Sequence, residues 1–172
     1  MSKENKSFTP KEIKDLWQTP PEIFKSIKKE FDFNCDVAAS FRNTFLPHNH
    51  LGEQYNGEFK DALNCDWDTV NWCNPPYSDI GSWVDMAETQ CVEHGRSTVM
   101  LIPADTSVRW FKRAIETCNE ARFISGRLSF INSETQKPVS GNNKGSVLLI
   151  WRAYCKTPCV MSLVERDELM EG

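Results

Sequence analysis

The stretch "STVMLIPA" (97–104) sets the strongest limit on what this chain can fold into. It is apolar almost without interruption, so it has no polar face to turn to water. Such a strand must be covered on both faces, as strands are inside a mostly parallel sheet flanked by helices. Its neighbours agree. Upstream, "TVNWCN" (69–74) reads as a second strand. A helix follows, capped by Ser78 or Asp79, with Ile80, Trp83, Val84, Ala87, Cys91 and Val92 on one stripe and Gly95 as terminator. Downstream, "SVRWFKRAIETCN" (107–119) has helical periodicity. Strands alternating with amphipathic helices predict an α/β fold with a mostly parallel sheet.

"WQTPPEIFKSIKKEF" opens a helix, with Thr19 as N-cap, Glu22 at capping-box spacing and Pro20 and Pro21 in the first turn. "FNCDVAAS" (33–40) is a buried strand running into a turn, and residues 41–68 look irregular. Segments 121–131 and 146–154 suit an antiparallel C-terminal hairpin joined by the polar loop 132–145. From Pro158 onward a short helix at best is expected. The 172 residues suit one domain, with 1–15 as a flexible lead and 155–172 as a tail.

No run approaches the roughly 18 apolar residues of a membrane span. The polar start "MSKENKSFTPKEIKD" has no secretory segment. A cytoplasmic protein with no membrane partner is expected. The seven scattered cysteines, Cys73, Cys91 and Cys118 among them, read as reduced buried thiols. His48 and His50 with Cys65 or Cys73, and Cys155 with Cys159, fit no standard zinc spacing, so no metal is expected. Net charge is −4, but residues 96–164 carry 10 Lys and Arg against 4 acids, while residues 1–95 carry 9 against 16. A basic block of this kind suits a surface facing phosphates, or a chance clustering of solvated charges.

In open α/β sheets ligands bind beyond the carboxyl ends of the strands. Asp36, Asn74 and Pro103 to Asp105 all fall at such ends by this reading. Asn74-Pro75-Pro76-Tyr77 is the unusual member. Its prolines stiffen the backbone and donate nothing, so the turn offers two acceptors, the Asn74 side-chain oxygen and the Pro75 carbonyl. Two acceptors suit a planar amine with two hydrogens to give, and Tyr77 adds a face on which a base can stack. The plainer alternative is a strand end with Asn as helix cap and Tyr as packing.

In its wider pattern, "WQTPPEIF", "DVAAS", "NCDW", "CNPPYSDIGSWV", "LIPADTSVRWF" and "RFISGRLSF", the chain resembles the phage-type (Dam-like) DNA adenine-N6-methyltransferases over roughly residues 17–152. The tetrapeptide alone is shared with enzymes acting on protein glutamine and RNA guanine. The resemblance implies a Rossmann-like S-adenosylmethionine-dependent methyltransferase fold, with double-stranded DNA as partner and a phage or prophage origin. It implies that Asn74, Pro75, Pro76 and Tyr77 hold the adenine. Trp17, Thr19 and Pro20 match the motif against the methionine end of the cofactor, Asp36 the acidic residue of the first strand, and Asp66 a contact to its adenosine. Arg109 and Trp110 match family positions without an assigned role. Arg109, with Lys137 and Lys144 of the 132–145 loop, is the candidate DNA contact; an ordinary surface hairpin is the alternative for that loop. "DVAAS" stands where many such enzymes have a glycine-rich turn. Other readings are methylation of protein glutamine or RNA guanine, or a DNA-binding module without chemistry.

Overall fold

The computed structural model describes residues 17–139 and 144–171. The flexible lead expected over 1–15 lies outside them, as does part of the 132–145 loop. In chain order the elements are β1 (Trp17–Gln18), α1 (Pro21–Lys28), β2 (Cys35–Ser40), β3 (His50–Glu53), β4 (Phe59–Lys60), β5 (Val70–Cys73) and α2 (Ile80–His94). There follow β6 (Ser97–Pro103), α3 (Arg109–Thr117), β7 (Glu120–Ser125), β8 (Ile131–Asn132), β9 (Ser146–Trp151), β10 (Val160–Glu165) and α4 (Arg166–Met170).

An eight-stranded sheet has the order β10-β7-β9-β6-β5-β2-β3-β4. The pairs β10–β7, β6–β5, β5–β2 and β2–β3 are parallel. β9 runs antiparallel to both its neighbours, and β4 to β3. β1 and β8 form a separate antiparallel pair. The sheet is therefore mainly parallel, with an antiparallel β7–β9 pairing where a C-terminal hairpin was expected.

β6 shows why its apolar run was needed. Met100 and Ile102 join one core cluster with α2 and α3, while Val99 and Leu101 join the other with α1. Both faces of the strand are covered, and removing one such Leu side chain to Ala costs about 2–5 kcal/mol. α2 is capped by Asp79, which accepts from the Ser82 hydroxyl at 2.7 Å, and it stops at Gly95 in the left-handed conformation.

Four local expectations change. Thr19 does not cap α1: Pro20 holds that position without a side-chain bond, and Thr19 is fully buried. Residues 41–68 contain β3 and β4, joined through Asn56-Gly57 with Gly57 at φ 83°. The chain from Pro158 forms the edge strand β10 before the short α4, because β7 offers it a free edge. Asp36 is the second residue of β2, not its end, since β2 runs on along β3 after its pairing with β5 stops.

β3 lies on one side of β2 and β5 on the other. The winding reverses between β2 and β5, and a crevice opens there at the carboxyl ends. β2 carries a register shift between Asp36 and Ala39, which re-aims its end. Gly52 of β3 has φ +95°, and a Cβ there would lie 2.0 Å from the Ala39 carbonyl oxygen. Only a glycine permits that approach.

Candidate active site

The turn after β5 delivers Asn74 into this crevice. Its Nδ2 donates to the Trp17 carbonyl at 2.9 Å, which orients the amide, and its buried Oδ1 has no partner. Pairing of β1 with β8, Trp17 opposite Asn132, holds Trp17 in place for this bond. The Pro76 carbonyl accepts from Asp79 N at 3.3 Å. Among the described residues no donor reaches the Pro75 carbonyl. Asn74 Oδ1 and the Pro75 carbonyl are thus both acceptors without a donor among the described residues.

Tyr77 lies within an aromatic group. Its ring meets Trp17 edge-on at 6.0 Å and Phe130 edge-on at 6.0 Å, and Trp17 stacks on Phe130 at 5.5 Å. The Tyr77 hydroxyl is buried without a partner, and burial pushes its pKa well above the ordinary value. Phe130 went unnoticed in the sequence, because nothing in "RLSF" marks it as more than a core residue.

Asp36 is 3% exposed and accepts from Phe45 N at 3.0 Å and Thr44 Oγ1 at 3.2 Å. Burial pushes its pKa from 3.8 up to about 6, because desolvation outweighs those bonds to the charged form. A cavity of about 50 Å³ brings Asp36 together with Trp17, Thr19 and Asn74. Trp17 Nε1 and Thr19 Oγ1 are buried without partners, as is Asn74 Oδ1. Unsatisfied buried polar atoms are costly, and this cavity is lined by three residues that carry one.

Next to it lies a cavity of about 770 Å³, in the size range of small-molecule sites. Val37 to Ser40, Gly52, Glu53, Phe59, Leu63 and Pro76 line it. Ala38, Ala39 and Ser40 thus form part of its wall. Glu53 and Phe59 were missed by the sequence reading. The Asn-Gly turn between them was the available signal, since it marks a hairpin that returns the chain to the crevice.

The remaining candidates are spread out. Pro20 is buried at the start of α1, behind Thr19. Asp66 is not brought to the crevice. It precedes β5, is exposed, and lies 4.0 Å from His94 at the opposite edge of the sheet. Arg109 is exposed at the start of α3 and has no ion pair among the described residues. Lys144 precedes β9, whose first residue pairs with Pro103, and it is bound to Asp105. Lys137 is exposed on the segment after β8. All three lie toward the carboxyl edge. Within the basic block, Lys112, Arg113, Arg122, Lys144 and Arg152 are held in ion pairs. His50 is buried within β3, its Nε2 3.2 Å from the Glu53 carbonyl, and His48 is exposed. Cys73 and Cys118 are buried and Cys91 is half-buried. No helix among the described residues is long and apolar enough to cross a membrane.

Comparison with known proteins places this arrangement in a family. A DNA N-6-adenine-methyltransferase of Escherichia phage T1 is 35% identical over 162 residues, covering 84% of this chain and 65% of that protein. The DNA N-6-adenine-methyltransferase of Haemophilus phage HP1 (strain HP1c1) is 35% identical over 150 residues, covering 85% of this chain and 83% of that protein. This chain thus spans slightly less than two thirds of the length of the phage T1 relative. The family model described as DNA N-6-adenine-methyltransferase (Dam) matches residues 6–172, and the chain belongs to that family.

Proposed function

We propose that this protein transfers a methyl group from S-adenosylmethionine to the exocyclic amine of adenine in double-stranded DNA. The observation that carries this reading is the state of Asn74. Its amide nitrogen is committed to the Trp17 carbonyl, so Oδ1 is left as an acceptor with no competing donor. With the Pro75 carbonyl it can hold both hydrogens of an aromatic amine and aim the lone pair in one direction. Tyr77 and its aromatic neighbours offer the base a stacking face, worth about 1–3 kcal/mol. A paired adenine must first leave the duplex to reach this turn.

The residues around the smaller cavity fit the methyl donor. Asp36 supplies a carboxylate for a cationic group, and Thr19 Oγ1 and Trp17 Nε1 are polar atoms without other partners. When bound, S-adenosylmethionine supplies an electrophilic methyl group on a sulfonium centre. Glu53, on the wall of the larger cavity, offers acceptors for sugar hydroxyls. Tyr77 stays protonated in its buried setting, so the chain contributes alignment and charge, not a phenolate base. Arg109 and Lys137 on the same edge provide cations toward the phosphate backbone, and Lys144 can join them by exchanging its Asp105 partner for a phosphate.

Asn74→Ala and Tyr77→Ala test the reading. DNA incubated with labelled cofactor and then digested should show N6-methyladenine with the parent protein and at least about 100-fold less with either variant. Cofactor binding measured by calorimetry should change only a few-fold. Full transfer by either variant, or label in protein glutamine or RNA guanine with none in DNA, would sink it. Absence of any cofactor affinity in the parent protein would point to a binding module.

A further inference from the structure

The sheet ends at β10, and that edge lacks the devices that normally keep edge strands apart. Val160 to Val164 contain no charge, proline or glycine. The strand pairs with β7 over its whole length without a bulge. Val160, Met161 and Leu163 are 62%, 57% and 68% exposed. A flat apolar edge templates another strand unless something covers it. Its free hydrogen-bonding groups can be assigned. Val160 N donates to the Asn119 carbonyl at 2.9 Å, toward β7. Successive residues turn their N–H and C=O to opposite edges, so Met161 and Leu163 present theirs outward.

We infer that β10 pairs with β10 of a second copy of this chain, antiparallel about a two-fold axis through Ser162, joining two sheets into one. A two-fold axis that sets edge strands antiparallel stands normal to the sheet. It keeps like faces together, so a paired residue meets one of its own parity. With Ser162 on the axis, Met161 lies opposite the partner's Leu163, and Val160 opposite the partner's Val164. Each apolar residue then meets an apolar residue. The two Met161–Leu163 pairs are also the ones whose backbone groups point outward, so each exchanges both of its N–H···O bonds. An axis through Leu163 would instead set Met161 against Glu165.

Charge selects a second copy over an unrelated strand. Lys156 precedes β10; after it, Arg166 holds Asp167 in an ion pair, and Glu168 and Glu171 carry the remaining negative charge. The two-fold brings the lead-in of each copy beside the α4 region of the other, cation toward carboxylates. β10 is separated from the β2–β5 crevice by β7, β9 and β6, so both crevices stay open. This assembly stands apart from the methyl-transfer reading and holds whether or not that reading does.

Sedimentation of the full chain at micromolar concentration should give the mass of a dimer. The double variant Met161→Lys, Leu163→Lys alters only exposed side chains. It should keep the parent's circular dichroism and raise the dimer dissociation constant at least about tenfold. Ser162→Cys tests the register. Cα atoms of a non-hydrogen-bonded antiparallel pair lie about 4.5 Å apart, which a disulfide can span. Diamide should therefore cross-link this variant into a covalent dimer on non-reducing gels, well above the parent, whose seven cysteines control for native thiols. A monomer at every concentration, a dimer that survives the double substitution, or no cross-link through the introduced thiol overturns the inference.

Discussion

Replacing Asp36 with Asn should make the protein more stable and less able to bind its cofactor. The carboxyl is 3% exposed, and burial raises its pKa from 3.8 to about 6 despite the donors Phe45 N and Thr44 Oγ1. A group that holds its proton more tightly when folded contributes stability that is full below about pH 4. That stability is lost as pH rises through about 6. The gap converts to about 3 kcal/mol at neutral pH. The amide is neutral throughout, and its oxygen can keep the Phe45 bond. Its new NH2 group cannot accept the backbone hydrogen bonds that a carboxylate oxygen accepts, which costs about 1–2 kcal/mol. Asp36→Asn should therefore gain about 1–2 kcal/mol at pH 8 and lose about 1 kcal/mol at pH 4. Urea unfolding of both proteins from pH 4 to 8, followed by tryptophan fluorescence, gives the difference directly. Other carboxylates cancel in that difference. It should climb between pH 4 and about 6.5 and then level off. Calorimetry should show S-adenosylmethionine binding at least about tenfold weaker, since a charged partner is lost. A flat difference curve, or a penalty that grows with pH, would refute the reasoning.

Gly52→Ala would place a Cβ 2.0 Å from the Ala39 carbonyl oxygen at a φ of +95°, and should cost about 2–4 kcal/mol in urea unfolding. Parent-like stability would show that the β2–β3 junction yields easily. Arg109→Ala should reduce the slope of log affinity for DNA against log salt by about 0.9, with cofactor binding unchanged; an unaltered slope would put Arg109 off the phosphates. Tyr77→Phe removes a buried hydroxyl that has no partner, so stability should hold or rise by up to about 1 kcal/mol and methyl transfer should stay within a few-fold. A large loss of transfer would give the hydroxyl a direct part in the reaction.

Elements whose cause is local were legible in the chain. β6 had to be covered on both faces because it has no polar side, and its residues divide between the two core clusters. Gly95 stops α2 because it takes the left-handed conformation that other residues avoid. The donor-free character of Asn74-Pro75-Pro76-Tyr77 is likewise written in the prolines. Other features depend on partners far away in the chain. Thr19 had a cap's identity and spacing, but tertiary packing buries it beside Asp36 and Asn74. "VMSLVE" has weak local preference and becomes a strand because β7 leaves an edge open to it.

The same division holds in the site. Residue type could say that Asn74 offers an oxygen, but not that its nitrogen would be occupied, since the Trp17 carbonyl is 57 positions away. Composition could say that residues 96–164 are basic, but not that several of those cations are paired with acids brought to them in the fold, as Glu30 is to Arg122 and Arg152. Asp66 and Asp36 look alike as letters, and the strand order sends them to opposite edges of the sheet. Turn chemistry, periodicity and burial preference act over a few residues and can be read along the chain. Which groups remain unsatisfied, and where their acceptors face, depends on long-range contacts that no short window contains.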